Sequence, residues 1–81
     1  MNNATHPVFL RRVDAARNMA RYYVLSLQPT LFGEVSVVRQ WGRIGTRGRP
    51  KVDIFEDGRQ AATALAQLAS RKVKRGYADK D

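Results

Sequence analysis

Two strand-like segments separated by one short turn constrain the fold more than any other feature of the sequence. The first, RYYVLSLQ at residues 21–28, is rich in aromatic and aliphatic residues, and period-two alternation makes Tyr23 a core position. Pro29 ends this segment, and the turn that follows runs to Gly33. The second segment, EVSVVRQW at residues 34–41, pairs naturally with the first. The sequence therefore predicts a sheet built around this antiparallel hairpin.

Further strand and helix signals flank the hairpin. The segments VFLRRV at residues 8–13 and KVDIFE at residues 51–56 have the composition of strands, the former of an edge strand. Asp57 follows as a helix N-cap, and Gln60 completes a capping box. Gly76 is placed to cap the end of this helix, with Tyr77 folding back as its hydrophobic closure.

These signals predict an α+β fold, with a twisted antiparallel sheet of about four strands and one C-terminal helix on a face. Helically spaced apolar residues over about residues 58–75 supply the packing stripe. A chain of 81 residues has room for one small core. We therefore expect a single domain over residues 8–78, preceded by a disordered polar leader at 1–7 and followed by a short tail at 79–81.

The charge balance points to a polyanionic partner. Fifteen Lys and Arg residues oppose seven Asp and Glu residues, for a net charge of +8. Nucleic acid, and DNA first, is the expected partner. No membrane contact is expected, because the predicted helix offers mainly alanine on its apolar side and no apolar run approaches the roughly 20 residues of a membrane span. Without a secretion-signal pattern, a cytoplasmic location is expected, on the nucleoid if the partner is DNA.

Composition also argues against catalysis. The chain has no cysteine, and its one histidine, His6, lies in the polar leader, which excludes disulfides, thiolate metal sites and histidine-centred triads. The carboxylates are scattered, with no pattern of a paired acid and base. We therefore expect a protein that is not an enzyme and that needs no metal or cofactor.

The segment from Arg39 to Lys51, RQWGRIGTRGRPK, is the strongest candidate for a binding site. It holds the chain's only tryptophan and several basic residues without a carboxylate. Alternation puts Arg39 and Arg43 on the same strand face as Trp41, so an indole could stack on a sugar or base while arginines bind phosphates. A single tryptophan in a small domain is about as often a core residue, and both interpretations stay open. The predicted nucleic-acid-binding residues are Arg21, Arg39, Trp41, Gly42, Arg43, Arg47, Arg49 and Lys51.

Two other basic segments have simpler interpretations. The run RKVKR at residues 71–75 is interpreted mainly as the cations expected at a helix C-terminus. The segment RGRPK at residues 47–51 is similar to an AT-hook core, but a single copy tied between two strands is interpreted as a basic loop that contacts DNA.

Taken together, residues 8–78 resemble the WGR domain, named for the triplet seen here as Trp41, Gly42 and Arg43. The resemblance includes RYYVLSLQ before a hairpin, VVRQWGRIGTRG, a strand, a capped helix and a Lys-Arg-Gly-Tyr ending. WGR domains occur beside the catalytic region of DNA-dependent poly(ADP-ribose) polymerases and as small free-standing bacterial proteins, and the chain is more similar to the latter. In the polymerases the domain grips a DNA break near a 5′ end.

The resemblance implies roles for individual residues. Trp41 would pack on a terminal sugar or base, and Arg43 would bind phosphate or a partner domain. Ala20 and Arg21 stand where break-binding members often have an asparagine, which leaves Arg21 as the candidate for that contact. The leading hypothesis is therefore a module that recognises DNA ends, nicks or gaps. The alternative is an adaptor whose WGR edge docks a partner DNA-processing enzyme.

Overall fold

A computed structural model describes residues 7–79, which form one antiparallel sheet with a helix on one face. The strands are β1 (Val8–Asp14), β2 (Met19–Pro29), β3 (Val35–Arg43), β4 (Arg49–Phe55) and β5 (Ala78–Asp79), in the spatial order β4-β3-β2-β1-β5. The helix is α1 (Gly58–Lys74), and a 3₁₀ turn at Ala15–Arg17 joins β1 to β2. The predicted α+β architecture is confirmed. Apart from Pro7, the predicted leader lies outside the described residues.

Two details differ from the prediction. The segment expected to form an edge strand is interior, because β5 returns after the helix and pairs with β1 at Leu10 and Arg11. The strand predicted at residues 51–56 corresponds to β4, which begins at Arg49 because its pairing with β3 extends to Trp41 and Arg49. Long-range pairing, which local composition does not encode, sets both boundaries.

The core lies between α1 and the face of the sheet predicted from alternation. Leu25 and Val37 are fully buried, and Tyr23 beside them is 4% exposed, which confirms its assignment to the core. Ala61 of α1 is also fully buried. Because its side chain is a single methyl group, it lets the helix lie close to the sheet.

The N-cap of α1 at Asp57 and the glycine cap at Gly76 form as the sequence predicts, but the capping box is shifted, because Gln60 reaches the N–H of Glu56 rather than that of Asp57. The Asp57 side chain accepts a hydrogen bond of 2.9 Å from the backbone N–H of Gln60, and the Gln60 side chain accepts one of 3.3 Å from the backbone N–H of Glu56. At the other end Gly76 has a φ of 102°, and the Tyr77 N–H donates to the carbonyl of Lys72 at 3.0 Å. This is a Schellman arrangement, and it turns the buried Tyr77 back under the last turn of the helix.

The other face of the sheet carries no helix. Its side chains include Phe9, Val52 and Ile54, which are 47%, 56% and 60% exposed. Within residues 7–79, no helix has the length and apolar character that a bilayer crossing requires.

Truncating core leucines tests this packing. Leu25→Ala should destabilise the protein by about 2 to 5 kcal/mol, because it leaves a cavity in a fully buried site. Leu65→Ala should cost about 1 to 2 kcal/mol, since Leu65 of α1 is only partly buried against the core. Urea denaturation of the two variants measures both values. A loss below about 0.5 kcal/mol for Leu65→Ala would show that the helix does not pack on this core.

Candidate nucleic-acid interface

A basic cleft opens between the last turn of α1 and the neighbouring ends of β1, β2 and β3. Its volume is about 540 Å³. One set of lining residues is aromatic and consists of Tyr23, Trp41 and Tyr77, with Gly42 beside them. The other is cationic: Arg12, Arg21, Arg43, Lys72 and Arg75. Within residues 7–79 no carboxylate lines this cleft, so its charge is uniformly positive.

Antiparallel register brings the aromatic wall together. Tyr23 of β2 lies directly opposite Trp41 of β3, and both project toward the helix. Their rings stack with centroids 5.7 Å apart and an interplanar angle of 14°. Tyr77 meets Tyr23 edge-on at 6.3 Å and 80°. The wall therefore continues the hydrophobic core to the surface.

Trp41 combines the two interpretations that the sequence leaves open. The residue is half-buried and packs against the core, yet it also lines the cleft. Tyr23 covers one face of the indole, and the Arg39 guanidinium lies 5.8 Å from the indole centroid. A bound ring or sugar could therefore use only the other face or the exposed edge of the indole.

Lys72 holds its ammonium group against the same aromatic wall. Its Nζ atom lies 4.5 Å from the Tyr23 ring centroid and 5.8 Å from that of Tyr77. Partial burial, followed by the positive charges of Arg75, Arg39 and Arg21, lowers the pKa of the Lys72 ammonium. Folding thus brings these cations together against their mutual repulsion.

Arg43 and Arg39 share a face of β3 but have different environments. Arg43 lines the cleft, where its guanidinium donates to the backbone carbonyl and the side-chain oxygen of Asn18 at 3.2 and 3.3 Å. Asn18 has a φ of 53° in the turn between β1 and β2. Arg39 instead lies outside the cleft lining, donates to the Tyr23 hydroxyl at 3.2 Å and pairs with Asp53 at 3.5 Å.

A tightly packed loop holds the WGR triplet in place. The Tyr22 hydroxyl lies 2.9 and 2.6 Å from the carbonyl oxygens of Thr46 and Arg47, which share its single proton, and the Gln40 amide also donates to the Arg47 carbonyl. Gly48 has a φ of 69°, and a side chain there would overlap the Trp41 carbonyl and the Tyr22 hydroxyl. The loop therefore needs glycine at this position.

The remaining predicted residues surround the cleft without lining it. Arg49 and Lys51 lie opposite Trp41 and Arg39 in β4, so they share the helix-side face of the sheet. Arg47 lies in the loop, where its carbonyl accepts a hydrogen bond from the Tyr22 hydroxyl. All three are exposed. Of the eight predicted residues, the structure places four in the cleft: Arg21, Trp41, Gly42 and Arg43.

Sequence reasoning missed five residues of the cleft: Arg12, Tyr23, Lys72, Arg75 and Tyr77, of which Tyr23 was predicted only as a core residue. The basic run at the end of α1 was explained by the helix dipole alone. The available signal was the predicted Gly76 cap, because a Schellman turn brings the residue after the glycine back onto the last helical turn. Arg12 had no local signal, and its side chain lies within 3.2 Å of where a Gly76 side chain would start.

Two glycine variants test the loop. Gly48→Ala should destabilise the protein by more than about 2 kcal/mol, because it combines a left-handed backbone with steric overlap. Gly45→Ala is the matched control: its φ is 95°, but open space surrounds it, so we expect a loss of about 1 to 2 kcal/mol. Thermal denaturation with circular dichroism measures both. A smaller loss for Gly48→Ala than for Gly45→Ala would contradict the packing described.

Removing the positive charge of Lys72 should raise the stability of the fold and lower the affinity of the cleft for an anionic ligand. Lys72→Met keeps an unbranched stem over Tyr23 but removes the ammonium, whose lowered pKa shows that the fold disfavours its charged form. We expect a higher melting temperature than wild type at neutral pH. The gap should narrow at alkaline pH, where wild-type Lys72 loses its proton before the unfolded chain does. Lys74→Met, on the exposed side of the same turn, should show no such gain.

Comparison with known proteins places these features in a family. The family model that matches is the WGR domain, over residues 6–81. Uncharacterized protein y4dW of Sinorhizobium fredii is 42% identical over 77 residues, covering 95% of this chain and 38% of that protein. Protein YehF of Escherichia coli is 41% identical over 39 residues, covering 48% of this chain and 14% of that protein.

The chain thus spans well under half the length of these two relatives. No solved structure matches it. The family match covers nearly all of the chain and includes every residue of the cleft. The chain therefore belongs to the WGR domain family, a family of nucleic-acid-binding modules that act as binding domains rather than catalysts.

Proposed function

We propose that this WGR domain recognises DNA ends, nicks or gaps by holding a strand terminus in the basic cleft. The observation that carries the proposal is the combination of an aromatic wall with five cations and no carboxylate among the described lining residues. Phosphate groups bind arginine and lysine through charge-assisted hydrogen bonds, and sugars or bases pack on aromatic rings. One cleft thus offers both kinds of contact to a nucleotide.

The geometry favours a terminal nucleotide over an internal one. An internal base pair is stacked on both sides, whereas a strand terminus has a free face. Tyr23 already covers one face of Trp41, so the indole can take one ring or sugar but cannot insert between two. A terminal sugar or base with its phosphate fits this one-sided platform.

Cations outside the cleft would hold the adjoining duplex. Arg47, Arg49 and Lys51 are exposed close to the WGR triplet and add sequence-independent contacts to backbone phosphates. Binding of this kind places the protein on the nucleoid, in the cytoplasm.

A second candidate function, docking of a partner DNA-processing enzyme, is supported by the helix-free face of the sheet rather than by the WGR edge that the sequence predicts for it. The helix-free face of the sheet exposes Phe9, Val52 and Ile54, which are large apolar side chains. An adaptor of this kind would lose its partner on substitution of this face and keep it on substitution of Arg21 or Arg43. The two functions are therefore separable by mutation.

Trp41→Ala tests the end-binding function. We expect a loss of about 1 to 3 kcal/mol of affinity for nicked or recessed duplexes, because the stacking platform is removed. A closed hairpin offers no terminus, so the variant should lose most of its preference for ends over a hairpin. Stability should also fall by about 1 to 2 kcal/mol, since the ring packs on Tyr23. Fluorescence anisotropy with labelled oligonucleotides, corrected for the folded fraction, measures the affinities.

Arg49→Ala is the matched control, because this arginine lies beside the cleft without lining it. It should weaken binding of all duplexes alike. For wild type, contact with about three to five phosphates predicts a slope of log affinity against log salt near −3 to −4. A flat salt dependence would exclude nucleic-acid binding, and an unchanged end preference in Trp41→Ala would exclude stacking.

A further inference from the structure

A second, smaller pocket adjoins the basic cleft. Its volume is about 140 Å³, and it lies where the last turns of α1 cross β2 and β3. Its lining residues are Tyr23, Arg39, Leu68, Arg71, Lys72 and Arg75. Tyr23, Lys72 and Arg75 also line the cleft, so the two spaces share one wall.

The charges in this pocket are only partly balanced. Four cations line it, and the ion pair found there within residues 7–79 joins Arg39 to Asp53 at 3.5 Å. The Nε atom of Arg39 is buried and lacks a hydrogen-bond partner in the described part of the chain. Leaving a buried donor of a charged group unpaired is costly. Partial burial lowers the pKa of Lys72, and the charges of Arg75 and Arg39, which line this same pocket, lower it further.

An anion in the pocket would relieve this imbalance. It would bring negative charge to four converging cations, which neutral ligands or water would not do. Tyr23 and Leu68 add little polarity, so the anion must rely on the guanidinium and ammonium groups. Phosphate, which accepts several charge-assisted hydrogen bonds, suits such a cluster.

We propose that this pocket is a second phosphate subsite, so that the domain takes two neighbouring phosphate groups of one strand. The terminal phosphate lies in the cleft, the next phosphate lies in the pocket, and Lys72 stands between them. This inference rests on the proposed function, because the cleft must hold a strand terminus first. Arg12, Arg21 and Arg43 belong to the first subsite alone, whereas Arg39 and Arg71 belong to the second alone.

The position of Lys72 favours a strand over a nucleoside diphosphate. The two share the chemistry of paired phosphates, but a diphosphate joins its phosphorus atoms through one oxygen. The Lys72 ammonium sits over the Tyr23 ring on the wall common to both spaces. Phosphates on its two sides must therefore be separated by more than one atom, as they are when a sugar lies between them.

A double-mutant cycle between protein and DNA tests the second subsite. The probe is a nicked duplex with a 5′ phosphate at the nick, carrying either a native or a neutral methylphosphonate first internucleotide linkage. Arg71→Gln should weaken binding of the native duplex about fivefold and reduce the salt slope by about 0.9, the value for one phosphate contact. It should have no effect on the methylphosphonate duplex, whose critical charge is already absent.

Arg12→Gln is the matched control, because Arg12 lines the first subsite only. It should weaken binding of both duplexes by the same factor. If wild type binds nicked duplex and closed hairpin equally, the proposed end recognition is wrong. If end preference persists but Arg71→Gln binds the native duplex like wild type, only the second subsite is wrong. ADP competition that is strong in wild type and weakened by Arg71→Gln would overturn the strand assignment in favour of a nucleoside diphosphate.

Discussion

The stacking of Tyr23 on Trp41 is the interaction on which the rest of the structure depends. The two rings lie on adjacent strands in direct register, so their contact supports the antiparallel pairing that aligns β2 with β3. The same Tyr23 ring is buried in the core, accepts a hydrogen bond from Arg39 at its hydroxyl and carries the Lys72 ammonium over its face. One side chain thus belongs to the core, to the cleft and to the second pocket. Stability and binding cannot be fully separated in this domain.

The cations around this pair illustrate a compromise between folding and binding. Partial burial, followed by the positive charges of Arg75, Arg39 and Arg21, lowers the pKa of Lys72, although these cations would be better solvated apart. A fold selected for stability alone would place a carboxylate among them. In the described residues the nearest compensation is Asp53, which pairs with Arg39. The proposed anionic ligand would recover part of the free energy of this unbalanced charge on binding.

Local sequence signals predicted the elements well, and long-range contacts limited the rest. The hairpin, the N-cap at Asp57 and the cap at Gly76 each depend on residues close in sequence, and the structure contains all three. About half of the residues that line the cleft could not be predicted from local sequence signals. Lys72 joins the cleft because α1 packs across β2 and β3, and Tyr77 joins it because the chain reverses after α1, so both depend on tertiary packing. Arg39 shares the strand face of Trp41, as alternation requires, but it also pairs with Asp53 on β4 and lies outside the cleft lining, which alternation does not predict.

The position of the chain's single tryptophan has an experimental consequence. All indole emission from this protein originates at the wall of the cleft, beside a tyrosine whose ring is 5.7 Å away and a guanidinium 5.8 Å from the indole centroid. At such separations, excitation absorbed by Tyr23 passes efficiently to Trp41, and nearby charge shifts the emission wavelength. The wild-type chain therefore carries an intrinsic optical reporter of occupancy. Spectroscopic titration needs neither a label nor an engineered probe.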